Sequence, residues 1–225
     1  MKTVAVLLAR GGSKEIPRKN LIDVCGQPLI SYGIGAAVFA GLETWVSTDD
    51  EEIAAVSKEW GAKVLMRPAE LATDTSQSED ALLHFAENVE FDRLVFIQPT
   101  SPLLKLRHIK EGLRLMEQYD SVFSGNIDHW TPKWGDVNYR KNSAIEKRLL
   151  PISWKLDNRP RRQDAAGGVY TENGAFYITS KERLMESECR YSGNIGCYEM
   201  LQSESFQVDS YDDLRIIEAI LGRSR

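Results

Sequence analysis

Cysteine is scarce in this chain: three residues in 225, Cys25, Cys189 and Cys197. An odd count leaves at least one thiol unpaired within a monomer, and no C-x-x-C spacing occurs. A disulfide framework and a thiolate zinc site are therefore not expected, and reduced thiols in a cytoplasmic protein are. Long apolar runs are also missing. None approaches the ~20 residues of a membrane-crossing helix, and the first residues enter a strand pattern without the apolar stretch and cleavage site of a secretory signal. Positive charge is not in excess: 28 Lys and Arg against 33 Asp and Glu give a net charge of −5. Neither a nucleic-acid partner nor a membrane partner is expected from that balance. The three histidines, His84, His108 and His129, stand alone, none with a partner at metal-ligand spacing. Neither G-x-x-x-x-G-K-[ST] nor G-x-G-x-x-G is present, which removes the P-loop and the dinucleotide fingerprint. There is no internal repeat and no low-complexity segment.

What is present is ordinary globular material, 42% hydrophobic and 27% charged, in a length that suits one α/β domain. The densest local signal is Ala9-Arg10-Gly11-Gly12-Ser13-Lys14-Glu15-Ile16-Pro17-Arg18-Lys19-Asn20. It follows Val4-Ala5-Val6-Leu7-Leu8, an apolar run that reads as a buried strand. Gly11 and Gly12 permit a tight turn with positive φ and exposed amides. Arg10, Lys14, Arg18 and Lys19 crowd around them. Such a loop suits a polyphosphate, and equally a basic surface turn.

Strand-like and helix-like segments then alternate. Pro28–Ala40 reads as a small-residue helix closed by Gly41, and Thr44–Thr48 as a strand. Ile53, Val56 and Trp60 share one helical face ended by Gly61. Lys63–Met66 is a strand. Ser78 is a candidate N-cap, with Glu79 and Asp80 in the first turn, for a helix carrying Ala81, Leu82, Phe85 and Val89. Leu94–Ile97 is a continuous apolar strand, Ile109, Leu113 and Met116 mark a helix, and Ser121–Ser124 a further strand. This rhythm predicts a mostly parallel sheet covered on both faces, with ligands beyond the carboxyl ends of its strands. It breaks between about Asn126 and Asn173, a stretch with Trp130, Trp134, Trp154 and Arg159-Pro160-Arg161-Arg162 and no clean period. A long excursion rich in tryptophan suits a subunit contact. Regular structure resumes at Ala175–Ile178. A last helix carries Leu214, Ile217 and Ile220, with Ser210 and Asp213 spaced as a capping box.

Two more stretches stand at strand ends: Arg67-Pro68-Ala69-Glu70-Leu71-Ala72-Thr73-Asp74-Thr75 and Gln98-Pro99-Thr100-Ser101-Pro102-Leu103. Each alone reads as a turn. Taken in order with the glycine loop and with Glu172-Asn173-Gly174-Ala175-Phe176-Tyr177-Ile178, they resemble the cytidylyltransferases that activate 3-deoxy-2-ulosonic acids, and most of all the CMP-sialic acid synthetase branch, the acylneuraminate cytidylyltransferases. The resemblance runs from Val4 to about Leu221 and is weakest between Asn126 and Arg159.

That resemblance implies a Rossmann-like three-layer α/β/α nucleotidyltransferase fold, mostly parallel, in a single domain over 1–225. Residues 126–165 would form an inserted dimerisation or lid region, and the protein would be a cytoplasmic homodimer. It implies transfer of CMP from CTP to the anomeric hydroxyl of a nonulosonic acid, with pyrophosphate released and Mg²⁺ as cofactor. Arg10, Lys14, Lys19 and Asp209 would be catalytic. Arg10, Gly11, Gly12, Ser13, Lys19, Asn20, Arg67 and Ser78 would bind the nucleotide. Gln98, Thr100, Ser101, Arg162, Asn173 and Tyr177 would bind the sugar. The metal would sit at Asp209 and Gln207.

Two positions depart from the family pattern. Gln207 stands where relatives carry the first aspartate of a metal-binding pair, and offers only a neutral carbonyl. Thr171 stands where many carry an arginine, and Ala165-Ala166-Gly167-Gly168 replaces a leucine–proline stretch; Arg162 and Lys155 would supply compensating charge. The acceptor therefore stays open among sialic acid, legionaminic acid, Kdn and other nonulosonic acids. A CMP-Kdo or pseudaminic-type enzyme and a non-catalytic nucleotide binder are the alternatives.

Overall fold

The computed structural model describes residues 1–128, 134–141, 144–152, 155–159, 161 and 169–222. His129, Trp130, Trp154, Pro160, Arg162 and the Ala165–Gly168 stretch lie outside the described residues.

The first strand, β1 (Thr3–Leu8), shows why the sheet is covered twice. Side chains alternate along a strand, so an unbroken apolar run has two faces to bury. Ala5 and Leu7 pack with Ile30, Ile34 and Ile109, while Val4 and Val6 pack with Leu82, Phe85 and Leu184. In β6 (Arg93–Ile97), Val95 and Ile97 join the first cluster, and Leu94 and Phe96 the second. The helices divide accordingly. α1 (Leu29–Phe39), α2 (Glu51–Glu59) and α4 (Leu106–Leu115) supply the first cluster. α3 (Ser78–Asn88) and α5 (Lys181–Ser187) supply the second.

The remaining strands of the sheet are β4 (Glu43–Thr48), β5 (Lys63–Met66), β7 (Ser121–Asp128), β10 (Val169–Ser180) and β11 (Ile195–Glu199). The seven run in the order β11-β7-β10-β6-β1-β4-β5. β1 pairs in parallel with β4 and β6, β4 with β5, and β7 with β11, whereas β10 is antiparallel to β6, with Phe176 opposite Ile97. The chain leaves β1 toward β4 and β5, then returns to add β6 on the other side. That reversal opens a crevice at the carboxyl ends of β1 and β6.

Helix boundaries follow local chemistry. Asp50 caps α2, accepting from Glu52 N at 3.0 Å and Ile53 N at 2.9 Å. The expected cap of α3, Ser78, is instead its first helical residue. Gln77 holds the extended backbone before it, and Asp80 reaches back to the Gln77 N–H at 3.3 Å. At α6 (Tyr211–Gly222) the capping box forms as expected: Asp213 accepts from Ser210 N at 2.7 Å, and Ser210 Oγ from Asp213 N at 3.2 Å. α6 lays Leu214 and Ile217 on Ile16, Val24 and Leu29. It thereby ties the chain's end to the glycine-loop segment and the small hairpin β2 (Asp23–Val24) and β3 (Gln27–Pro28).

Residues 1–126 with 172–225 form one compact unit, and 127–171 form another. The second unit is more regular than its sequence suggested. It holds an antiparallel hairpin of β8 (Trp134–Lys141) and β9 (Ala144–Pro151), paired from Trp134 opposite Pro151 to Lys141 opposite Ala144. A backbone ladder needs no apolar alternation to close, so a pattern search of side chains passes over it.

Candidate active site

A cleft of about 540 Å³ opens beyond the carboxyl ends of β1, β5 and β6. The β1 loop contributes Arg10, Ser13, Lys14, Lys19 and Asn20 to its walls. The segment after β5 contributes Arg67, Thr73, Asp74, Gln77 and Ser78; the turn after β6 adds Gln98, Pro99 and Thr100. Gln207 and Asp209 close it from the C-terminal side. The structure thus brings together six of the eight expected nucleotide residues and both expected metal residues but, of the expected sugar residues among those described, only Gln98 and Thr100.

The cations are held by carboxylates. Arg10 Nη1 lies 3.1 Å from Asp74 and donates to the Thr73 carbonyl at 2.7 Å. Lys14 Nζ is 2.8 Å from the same Asp74, and its hydrogen bond holds that carboxyl below its usual range. Lys19 Nζ is 3.0 Å from Asp209. Asn20, buried, donates to the Arg10 carbonyl at 2.9 Å and so sets the course of the loop. Arg67 is only 8% exposed, and its Nε has no partner among the described residues. Burial pulls its guanidinium below the ordinary arginine value, with Asp49 acting in the opposite sense. A buried donor left unbonded is costly, so Arg67 suits an acceptor supplied by a ligand.

The glycines act differently from the expectation. Neither has positive φ; in this loop that conformation falls on Arg18, at φ 56°. The Gly11 N–H is already given to Asp49 at 3.0 Å, and neither glycine is part of the cleft lining. Gly11 is required for space, because a Cβ there would lie 2.7 Å from Asp50 Oδ2. Asp50 also pairs with Arg18, so the acidic pair after β4 anchors the loop from behind while Arg10, Lys14 and Lys19 face the cleft. Ser101 is buried behind the lining, where its Oγ lies 3.3 Å from Gln207 Nε2.

Asn173 and Tyr177 are not among the lining residues. Asn173 is buried: its Oδ1 accepts from Ser124 Oγ at 2.7 Å and Ala175 N at 3.1 Å, and its Nδ2 donates to Ser205 Oγ at 2.9 Å. Tyr177 stacks on Phe96, 5.5 Å between centroids, and donates to Glu172. Burial, followed by that hydrogen bond, pushes its phenol above the ordinary tyrosine value. Arg190 lies 4.9 Å over the Tyr177 ring and 5.4 Å over that of Phe96, itself a cleft residue.

Among the described residues no three acidic, histidine or cysteine side chains gather into a metal site. Glu15, Asp74 and Asp209 are carboxylates of the cleft lining, and Asp209, beside Gln207 at the C-terminal side, is 62% exposed at its side chain. Mg²⁺ takes one or two carboxylates plus phosphate oxygens, so a single aspartate beside a nucleotide fits it. Gln207 is engaged through its nitrogen, which donates to Asn173 O at 2.6 Å and Gln98 Oε1 at 2.9 Å.

Residues 4–205 match the cytidylyltransferase family. The chain belongs to that family. It is 40% identical to N-acylneuraminate cytidylyltransferase A of Danio rerio over 219 residues, 95% of this chain and 49% of that protein. It is 33% identical to the N-acylneuraminate cytidylyltransferase of Streptococcus agalactiae serotype III, covering 95% of this chain and 52% of that one. The chain thus spans about half the length of these curated relatives. In fold it is similar to CMP:2-keto-3-deoxy-manno-octonic acid synthetase complexed with CTP, at TM-score 0.74 and 21% identity, with both chains covered fully. It is also similar to 4-diphosphocytidyl-2C-methyl-D-erythritol synthase of Anaerococcus prevotii, at TM-score 0.67 and 8% identity over 99% of each chain.

The cleft and its support also include residues that pattern reading passed over. Asp74 sits inside the quoted Arg67–Thr75 stretch, yet its role as counter-ion to two cleft cations appears only in three dimensions. Arg190 pairs with Glu79 through contacts of 2.6 and 2.9 Å and so pins the start of α3 behind the cleft. No local motif marks a pair 111 residues apart.

Proposed function

We propose that this protein transfers CMP from CTP to the anomeric hydroxyl of a nonulosonic acid and releases pyrophosphate. The observation that carries the reading is the convergence of Arg10, Lys14 and Lys19 with Gln98 and Thr100 in one cleft. It is supported by curated relatives at 33–40% identity that bear the N-acylneuraminate cytidylyltransferase name.

The triphosphate would replace Asp74 and Asp209 as the anion facing Arg10, Lys14 and Lys19. Guanidinium and ammonium groups fixed before the reaction stabilise charge as it develops on the transferring and leaving phosphates. Arg67, with its unbonded Nε, and Ser78 would place the nucleoside. Gln98 and Thr100 would hold the sugar acid so that its hydroxyl oxygen meets the α-phosphorus in line. The new bond joins that oxygen to phosphorus, and the bond from phosphorus to the β-bridging oxygen breaks. Pyrophosphate leaves with the electron pair, and the hydroxyl proton passes to water or a phosphate oxygen. A bound Mg²⁺ would add positive charge at the phosphates, with Asp209 as its protein ligand. A cytoplasmic homodimer built through residues 126–165, with the partner's charges near the sugar, completes the reading.

The test is pyrophosphate release by the purified protein with CTP, Mg²⁺ and a panel of nonulosonic acids, Kdo included. Release with at least one nonulosonic acid is expected. Silence across the panel defeats the reading, and a preference for Kdo moves the protein to the neighbouring specificity. Arg10→Ala and Lys19→Ala should each lower turnover by about 100-fold or more, the scale of removing one preorganised charge-stabilising donor.

A further inference from the structure

We propose that Gln207 is a positioning residue: it fixes the side-chain amide of Gln98 so that the Gln98 NH₂ group faces the cleft and donates to an oxygen of the sugar acid. This rests on the acceptor being a nonulosonic acid.

The geometry is a relay that ends on backbone. Gln207 Nε2 lies 2.6 Å from the Asn173 carbonyl oxygen, 2.9 Å from Gln98 Oε1 and 3.3 Å from Ser101 Oγ. An amide nitrogen carries two hydrogens, and the two shortest contacts take them. A backbone carbonyl can only accept, so the end of Gln207 that meets Asn173 is the nitrogen. That same nitrogen then meets Gln98, which must present its oxygen. Gln98 Nε2 is thereby turned away from the relay. No acceptor among the described residues bonds it, and Gln98 lines the cleft. The two glutamines cannot flip together, because the flip would set Gln207 Oε1 against the carbonyl of Asn173.

The relay has a built anchor. Asn173 is held by Ser124, Ala175 and Ser205 through the bonds given above. Gly174, at φ +69°, leaves the room: a Cβ there would lie 2.5 Å from Gln207 Nε2 and 2.7 Å from Gln98 Oε1. A carboxylate at 207 could donate to neither acceptor. Gln98 would then turn its NH₂ to that carboxylate and its oxygen to the substrate. An amide at 207 therefore sets the polarity that Gln98 shows the acceptor sugar.

Gln207→Glu, which can only accept, and Gln207→Met, which can do neither, should raise KM for the sugar acid about tenfold or more, as loss of one oriented hydrogen bond to an anion would. KM for CTP and the Mg²⁺ concentration dependence should stay within about twofold. With Gln98→Ala already in place, Gln207→Met should add less than about twofold, because the two act as one unit. An equal rise in both KM values, a shifted Mg²⁺ dependence, or full additivity overturns the proposal. Should the Gln207 variants fail to fold by circular dichroism, Gln98→Glu keeps the relay but loses the donor. It should show the same selective rise, and an unchanged KM for the sugar acid overturns the proposal. If the wild-type protein turns over no nonulosonic acid, the reaction reading fails separately. The relay is then read from the Gln98 side-chain amide resonances, which must move in Gln207→Glu; unmoved signals overturn it.

Discussion

Replacing Gly174 by alanine probes the site and the fold at one atom. The residue sits at φ +69°, where a Cβ costs about 1–2 kcal/mol. The added carbon would lie 2.5 Å from Gln207 Nε2 and 2.7 Å from Gln98 Oε1, closer than non-bonded atoms tolerate, so both amide ends must move off their present positions. Their departure breaks the Gln207 bonds to Asn173 O and Gln98 Oε1, worth about 1 kcal/mol each, and leaves a shielded carbonyl unpaired at about 1 kcal/mol or more. A stiffer unfolded chain returns about 0.5 kcal/mol. The net loss is about 3–5 kcal/mol, a large part of the ~5–15 kcal/mol that keeps a domain folded. Urea unfolding should show it as a lower midpoint at unchanged slope. Calorimetry on the folded variant should show sugar-acid binding weakened at least about tenfold with CTP binding retained, by the conversion of about 1.4 kcal/mol per decade. A stability loss below about 1 kcal/mol would refute the packing argument. Equal weakening of both ligands would refute the assignment of this corner to the sugar acid.

Asp74→Asn frees Arg10 and Lys14 from their internal anion. KM for CTP should fall several-fold at low salt, and the gap should close as salt rises, since exposed pairs are screened. In α4, a Cβ on Gly112 would lie 2.6 and 2.9 Å from ring carbons of the buried Phe176. Overpacking by about 1–3 kcal/mol should outweigh the ~1 kcal/mol helix gain of Gly112→Ala, giving a lower midpoint in chemical unfolding. Glu204 is held near 2: burial raises it, but hydrogen bonds from Lys105 and Arg107 outweigh burial. Its folded value is below the unfolded one, so its stabilisation is present above about 4.5 and disappears as pH falls toward 2. Glu204→Gln should be less stable than wild type at pH 7, with the difference shrinking through that window in acid-unfolding curves.

Where side chains carry a period, the fold is legible without coordinates. Val4–Leu8 and Leu94–Ile97 announce strands buried on both faces, because no polar residue interrupts them. Ser210 with Asp213 before α6 announces a helix start through chemistry only a few residues long. The hairpin of 134–151 is silent in that language, because its order lies in backbone pairing.

The site divides along the same line. The cations of the β1 loop and the rim residues Gln98 and Thr100 were evident as residue types at strand ends, and strand ends on one side of a parallel sheet must converge. What each side chain faces was decided only by folding. Gly11 gives its N–H to Asp49 and leaves room for Asp50, and Asp74 reaches back to Arg10 and Lys14. Gln207 gives its nitrogen to Gln98 and Asn173, across 109 and 34 residues of chain. Sequence determines which donors and acceptors are available and roughly where on the sheet they emerge. Their pairing depends on distances of a few tenths of an ångström and on which lone pairs are already taken, and both are set only when the whole chain has closed on itself.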